Sequence, residues 1–388
     1  MKIFMLVSRV PWPLEKGDKL RAFHQLKMLA RDHEVHLCCL NDKSPNPEAV
    51  VELSKITPHI HIIQLNKLLI GWRLIRALFS DRPFQVHYFF QRSPNNKIAG
   101  LINEIKPDHI YCQLIRTSEY VKHRHEYKKT LDYMDALSSG LRRRTNDASW
   151  WMKIFVREEA KRLTAYENLI FEYFDHHTII SAQDRQLIFH PERNRISVIP
   201  NGIDSNFFTP VATVKKFHIA FTGNMSYPPN VDCAIRLAKE ILPIIHKSMP
   251  EVKLLIAGAN PSRSILQLQS ESVHVSGWME DIRDAYNQST IFMAPIRRGS
   301  GLQNKLLEAM CMNLPCVTSG IAANAMNAIN EEHMLICETN EEFSAMAMRL
   351  LQQHEDASRI GERGRDFVVR HFNWPATIDM LLKEMATN

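Results

Sequence analysis

The sequence predicts an α/β protein made of two doubly wound halves facing each other across a cleft. Two patterns carry this expectation. Short apolar runs alternate with helical patterns from end to end, and the alternation breaks once, at Pro200-Asn201-Gly202-Ile203-Asp204, before it restarts. Length agrees, because 388 residues at about 150 per domain give two or three domains.

In the first half, Lys2–Ser8 reads as a strand and Gly17–Arg31 carries apolar residues at helical spacing. Glu34–Leu40, His59–Leu65, Asp108–Leu114, Lys129–Tyr133, His177–Ser181 and Ile196–Ile199 continue the strand series. After the break, Phe217–Thr222, Val252–Ala257, Ser272–Val275, Thr290–Ala294 and Cys316–Ser319 are the strands, with Asn230–Lys247 the clearest helix. The expected divisions are residues 1–205, residues 206–372, and a final helix over 373–388 crossing back to the first domain. Ligands of such halves bind outside the carboxyl ends of the strands.

Composition removes several alternatives. At 45% hydrophobic and 23% charged residues, the chain is neither disordered nor a coiled coil. A net charge of +6 is too small for a dedicated nucleic-acid binder, but it suits an anionic ligand or an anionic membrane surface. Seven cysteines, odd in number and irregularly spaced, argue for reduced thiols in a cytoplasmic protein and against a disulfide framework. No window approaches 18 apolar residues, and Met1–Ser8 reads as a first strand instead of a signal peptide.

The most informative stretch is Thr290–Ser319. A strand ends at Pro295, and Arg297-Arg298-Gly299-Ser300-Gly301 leads into a helix over Leu302–Met312. Ser300 and Gln303 have capping-box spacing, which predicts a helix start at Gly301. A glycine-flanked helix N-terminus suits a phosphate. Lys305 and Glu308 share a face, and from Gly301 to Glu308 the axis rises about 10 Å, the order of a diphosphate plus a ribose. The alternative is a surface Lys–Glu pair worth a few tenths of a kcal/mol.

Here the sequence resembles the retaining glycosyltransferases of the GT-B fold, specifically glycosyltransferase family 4. Gly301-Leu302-Gln303-Asn304-Lys305-Leu306-Leu307-Glu308-Ala309-Met310 looks like the family's donor motif. Pro11-Trp12-Pro13-Leu14-Glu15-Lys16-Gly17-Asp18-Lys19-Leu20-Arg21 and Phe221-Thr222-Gly223-Asn224-Met225-Ser226-Tyr227-Pro228-Pro229-Asn230-Val231-Asp232 resemble a branch tied to bacterial exopolysaccharide and exosortase systems. Asn201-Gly202-Ile203-Asp204 matches the family's interdomain turn. The resemblance implies two Rossmann-like domains and transfer of a hexose, with retention, from a nucleotide-diphosphate sugar to a glycan or lipid-linked acceptor. It implies that Glu308 binds the donor ribose and that Lys305, also a catalytic candidate, lies near the diphosphate; Gly17, Arg21, Gly223, Asn224, Trp278, Arg298, Gly301, Gln303 and Asn304 are the further donor-binding candidates. No metal and no further cofactor are expected.

The sequence departs from the family at two points. Ser300 stands where many members carry the first glutamate of E-x7-E, and Asn224 stands where many carry an arginine. Arg297, Arg298 or Lys305 must then hold the diphosphate.

Gly17, flanked by Lys16, Lys19 and Arg21, is a second candidate for close approach to a phosphate, or a plain exposed turn. Trp278 would pack on the donor base or cover a strand end. Many family members place a histidine just after the strand at Lys129–Tyr133, where this chain offers Asp132 and Asp135. Either would position the acceptor hydroxyl or stabilise a cationic sugar, or else cap the following segment.

Leu68, Leu69, Trp72, Ile75 and Phe79 share a helical face, with Arg73 and Arg76 off it. Residues 120–162 hold 11 Lys and Arg against 6 Asp and Glu, with Trp150 and Trp151 among them. These segments either dock on the inner face of the plasma membrane or pack on their own sheet. Two readings compete with the transferase: a nucleotide-sugar epimerase on the same fold, and a non-catalytic nucleotide-sugar binder.

Overall fold

The computed structural model describes residues 1–43, 46–144, 150–298 and 301–387, with the side chains of residues 143, 144, 150 and 151 left aside. The chain divides into two compact units, Met1–Pro200 with Thr377–Asn388, and Asn201–Ala376.

The first unit holds a sheet of β1 (Lys2–Val7), β2 (Glu34–Asn41), β3 (Ile60–Gln64), β4 (His109–Gln113), β5 (Lys128–Asp132), β6 (His176–Ile179) and β7 (Ser197–Val198). Its order is β3-β2-β1-β4-β5-β6-β7, parallel throughout. The order reverses between β1 and β4, so the loops after these strands flank the switch point where doubly wound sheets bind ligands. Helices cover both faces, which is why β1 is apolar from Ile3 to Val7 instead of alternating.

The adjacent thiols of β2 show the strand period. Cys38 joins the core on one face with Ile98 and Ile102, and Cys39 joins the other face with Leu26 and Leu381. All seven cysteines are buried and unpaired.

The second unit holds β8 (Phe217–Thr222), β9 (Leu254–Ala257), β10 (Val273–Gly277), β11 (Ser289–Ala294), β12 (Cys316–Thr318) and β13 (Leu335–Ile336), in the order β10-β9-β8-β11-β12-β13. The doubly wound α/β class read from the alternation is the class observed. The two-residue β13 was not anticipated, because so short a run carries no periodicity. The Asn230–Lys247 pattern resolves into Pro228–Arg236, a π-helical turn over Leu237–Ile241, and Leu242–His246. Pro243 lacks the amide N–H that a continuous α ladder needs.

Candidate active site

In the second sheet, whose order reverses between β8 and β11, the glycines just past β8 and β9 pack backbone to backbone. A Cβ on Gly258 (φ +140°) would lie 1.8 Å from the Gly223 carbonyl oxygen, and one on Gly223 would lie 2.7 Å from Asn230 Nδ2. Only glycines allow the loop after β8 to fold this tightly.

The helix after β11 runs over Asn304–Cys311. This corrects the expected start at Gly301. Gln303 is the N-cap residue, extended at φ −97° and ψ 99°, and its side-chain amide donates to the Gly301 carbonyl at 2.9 Å. Ser300, the proposed capping hydroxyl, and Gly299 lie outside the described residues. The later start puts Lys305 in the first turn and Glu308 only about 6 Å along the axis from Asn304.

Leu306, Leu307, Ala309, Met310 and Cys311 bury one face of this helix, leaving Lys305 and Glu308 half-buried on the other. Lys305 Nζ donates to Asn230 Oδ1 and sits 5.0 Å from the centre of the Phe221 ring. Glu308 Oε2 accepts from the Tyr286 hydroxyl at 2.7 Å, and that hydroxyl lies 2.8 Å from Thr222 Oγ1. Asn304 Oδ1 accepts from Asn201 Nδ2 at 3.1 Å.

Burial lowers the pKa of Lys305 and lifts that of Glu308 to about 7, with the Tyr286 hydrogen bond and the Lys305 charge only partly offsetting the second shift. Both groups therefore lean on neutral neighbours in a partly desolvated place. Such groups recur at binding and catalytic sites, because an anion or a polar hydroxyl can still join them. Asn230, Tyr286 and Thr222 were not singled out from the sequence. They come from separate elements, and the one advance signal was the Tyr227-Pro228-Pro229-Asn230 run beside the glycine loop.

The other donor-side residues are less uniform. The Asn224 side chain accepts from the Ser226 amide (3.0 Å) and hydroxyl (2.8 Å), so it closes its own turn. Arg298 is exposed on the segment after β11, while Arg297 pairs with Glu240 at 2.6 Å and is neutralised there. Trp278, just past β10, is 68% exposed.

In the first unit, two expected site residues are corrected. Arg21 and Asp132 are both fully buried and bond to each other, Nε to Oδ2, at 2.6 Å. Asp132 also accepts from the Tyr111 hydroxyl at 2.5 Å and from the Met134 amide at 3.1 Å. Charges this deep must pair, so neither reaches a substrate. Of the expected positive surround of Gly17, Arg21 is buried against Asp132 and Lys19 pairs with Glu15 at 3.0 Å, while Lys16 is exposed. Gly17 itself starts the helix Gly17–Leu29 with open space where a Cβ would point.

Asp135 is exposed just beyond β5. Behind it, buried Glu167 accepts from the Ser138 amide at 2.9 Å and from the Ser138 hydroxyl, and burial lifts its carboxyl to about 7.

The helix Lys67–Ala77 tucks Ile70 and Ala77 inward but leaves Leu68, Trp72 and Ile75 exposed by 86%, 53% and 60%, and Phe79, just past its end, is 89% exposed. Arg76 lies 4.8 Å over the Trp72 ring. Ile154 and Phe155 are also exposed, on the helix Trp150–Phe171, whose Arg162 donates to the Ala77 carbonyl at 2.6 Å. The side chains of Trp150 and Trp151 lie outside the description. Among the described residues, no helix is long and apolar enough to cross a membrane.

Residues 216–354 match the family model described as "Glycosyl transferases group 1". Over 99% of both chains, the sequence is 22% identical to an uncharacterized 44.6 kDa protein in the cps region of Klebsiella pneumoniae. It is 23% identical to an Escherichia coli UDP-Gal:alpha-D-GlcNAc-diphosphoundecaprenol alpha-1,3-galactosyltransferase, over 60% of this chain and 61% of that one. The crystal structure of Anabaena HepE in complex with UDP and glucose superposes with a TM-score of 0.69 at 11% identity, covering 100% of each chain. The second unit accordingly carries the glycosyl transferases group 1 sequence, in a chain with the two-unit α/β fold of the GT-B glycosyltransferases.

Proposed function

We propose that the chain is a retaining glycosyltransferase, a hexosyltransferase of exopolysaccharide or cell-surface glycan synthesis, which transfers a sugar from a UDP-sugar to a lipid-linked or glycan acceptor. The observation that carries this is the Lys305–Glu308 face at the N-terminal end of the Asn304–Cys311 helix. Each charge there is held by neutral partners, beside the glycine-tight loop after β8.

The chemistry follows from that arrangement. The helix N-terminus and the Lys305 ammonium hold the diphosphate, stabilising the charge that builds as the sugar–phosphate bond breaks. Ionised Glu308, oriented by Tyr286, accepts from the ribose hydroxyls. A departing phosphate oxygen takes the acceptor's proton on the same face, which gives retention. Fixed cations serve in place of a metal ion. Arg298 extends the positive charge along the diphosphate, and Trp278 offers a face to the base.

On the first unit, Asp135 is the carboxylate positioned to orient the acceptor. Arg142, Arg157 and Lys161 line a groove of about 460 Å³ with Phe189, a match for the phosphates and first apolar carbons of a lipid-linked acceptor. The exposed stripe of Leu68, Trp72, Ile75 and Phe79, with its basic neighbours, is the membrane-facing element.

The test has two parts. UDP should raise the melting temperature more than GDP, ADP or CMP does. A UDP-sugar should then be consumed only when a lipid-diphosphate-linked sugar is added. Conversion of donor alone would identify an epimerase, and tight binding without transfer to any acceptor a non-catalytic binder; either result overturns the proposal.

A further inference from the structure

At the opposite end of the first sheet, away from the strand carboxyl ends, three histidines and a glutamate meet on one face. The parallel register sets His36 of β2 beside His59, just ahead of β3, and Cys38 beside His61, with Glu34 two residues before His36. All four side chains therefore project from the same face. His36 is buried, His59 and His61 are half-buried, and Glu34 is exposed. His36 Nε2 lies 2.8 Å from Glu34 Oε1, and the His36 and His59 rings are 4.2 Å apart and 18° from parallel. One ligand atom from each of Glu34, His36 and His59 fits within a mutual distance of 4.8 Å, the only such cluster among the described residues.

We propose that Glu34, His36 and His59 form a binding site for a divalent cation of the zinc class, distinct from the nucleotide-sugar chemistry of the second unit. Tetrahedral zinc with nitrogen and oxygen ligands places those atoms about 3.4 Å apart. The His36–Glu34 spacing of 2.8 Å and the 4.8 Å limit on all three ligand atoms lie on either side of that value, so small rotations of the His59 ring and the Glu34 carboxylate close the site. Imidazole and carboxylate suit zinc, and so do nickel and copper.

His61 supplies the outer support. Its Nε2 lies 3.5 Å from His36 Nδ1, on the far side of the ring. With the His36 proton on Nδ1 and shared with His61, the Nε2 lone pair is free to face the metal, the arrangement that orients ligating histidines. Water would complete the coordination, since the Glu34 side is open to solvent. Lys2 Nζ is 3.7 Å from Glu34 Oε1, but it also donates to the Ile105 carbonyl at 3.2 Å, which holds it to one side.

The position gives such an ion a purpose. β3 is the edge strand of the sheet and leads directly into the apolar Lys67–Ala77 helix. An ion shared by β2 and the start of β3 would clip that edge in register.

The test uses the full chain without a histidine tag, stripped with a chelator and titrated with zinc chloride alone by calorimetry, with melting temperature as a second readout. One equivalent should bind at micromolar zinc and raise the melting temperature. His59→Ala and Glu34→Gln should each weaken binding at least about tenfold and remove the thermal shift. His274→Ala, which alters an exposed histidine of the other unit, should change neither. Both site variants alter side chains outside the buried core, so they should fold. Absence of binding at micromolar zinc, or binding that His59→Ala and Glu34→Gln leave intact, would overturn the proposal.

Discussion

The two units present the same kind of feature, a pair of charged side chains near the carboxyl ends of parallel strands, and treat it in opposite ways. In the first unit Arg21 and Asp132 are fully buried and satisfy each other at 2.6 Å. In the second, Lys305 and Glu308 each rest on a neutral partner, Asn230 and Tyr286, and stay half-buried. A charge that has found its counter-charge inside the protein is architecture. A charge held by an amide or a phenol still has capacity for a ligand. By this criterion the proposed donor site falls in the second unit, and the buried pair of the first unit is part of its core.

Variants can break this contrast. The largest effect should come from Arg21→Ala, which leaves Asp132 uncompensated in the core. It should cost about 3–5 kcal/mol of stability, read by denaturant unfolding. Next, Lys305→Ala and Glu308→Ala should each lower transfer about 10²–10³-fold, with a melting temperature far closer to wild type than that of Arg21→Ala. Equal damage to stability in both pairs would erase the distinction. The double variant Trp72→Ser/Ile75→Ser should weaken binding to anionic phospholipid vesicles at least about tenfold, with folding stability within about 0.5 kcal/mol of wild type. Tyr286→Phe should weaken UDP binding by about 1 kcal/mol, by freeing the Glu308 carboxylate from its orienting hydrogen bond.

The finest test is pH. Glu308 keeps its proton to about pH 7 in the folded chain, whereas its ordinary value is 4.5. Between these values the folded state binds more protons than the unfolded, so this group's contribution to stability declines as pH rises through that window and is constant above it. Glu308→Gln should remove that decline, while Glu167, also lifted to about 7, keeps its own. UDP affinity, needing the ionised carboxylate, should rise several-fold from about pH 6 to pH 8 in wild type and stay flat in Glu308→Gln.

The alternation of apolar runs and helical patterns made the α/β class legible, because parallel strands buried on both faces are apolar throughout. That Lys305 and Glu308 share a helix face was legible from their spacing of three residues. What stayed hidden depends on pairing across sequence. Arg21 and Asp132 are 111 residues apart, and a basic residue beside a glycine looks alike whether it turns inward or outward. The three-residue delay of the donor helix was hidden too, since Gln303 bonds back to Gly301 and holds the segment extended. The Trp72 stripe showed an amphipathic helix, but which face met solvent was settled only by the packing of Ile70 and Ala77.

A crystal structure of the chain with UDP shows directly where the nucleotide lies. The diphosphate should lie at the N-terminal end of the Asn304–Cys311 helix, near Lys305, with a ribose hydroxyl about 2.6–3.2 Å from a Glu308 carboxylate oxygen. UDP bound elsewhere, or bound with Glu308 still engaged only by Tyr286, would contradict this placement.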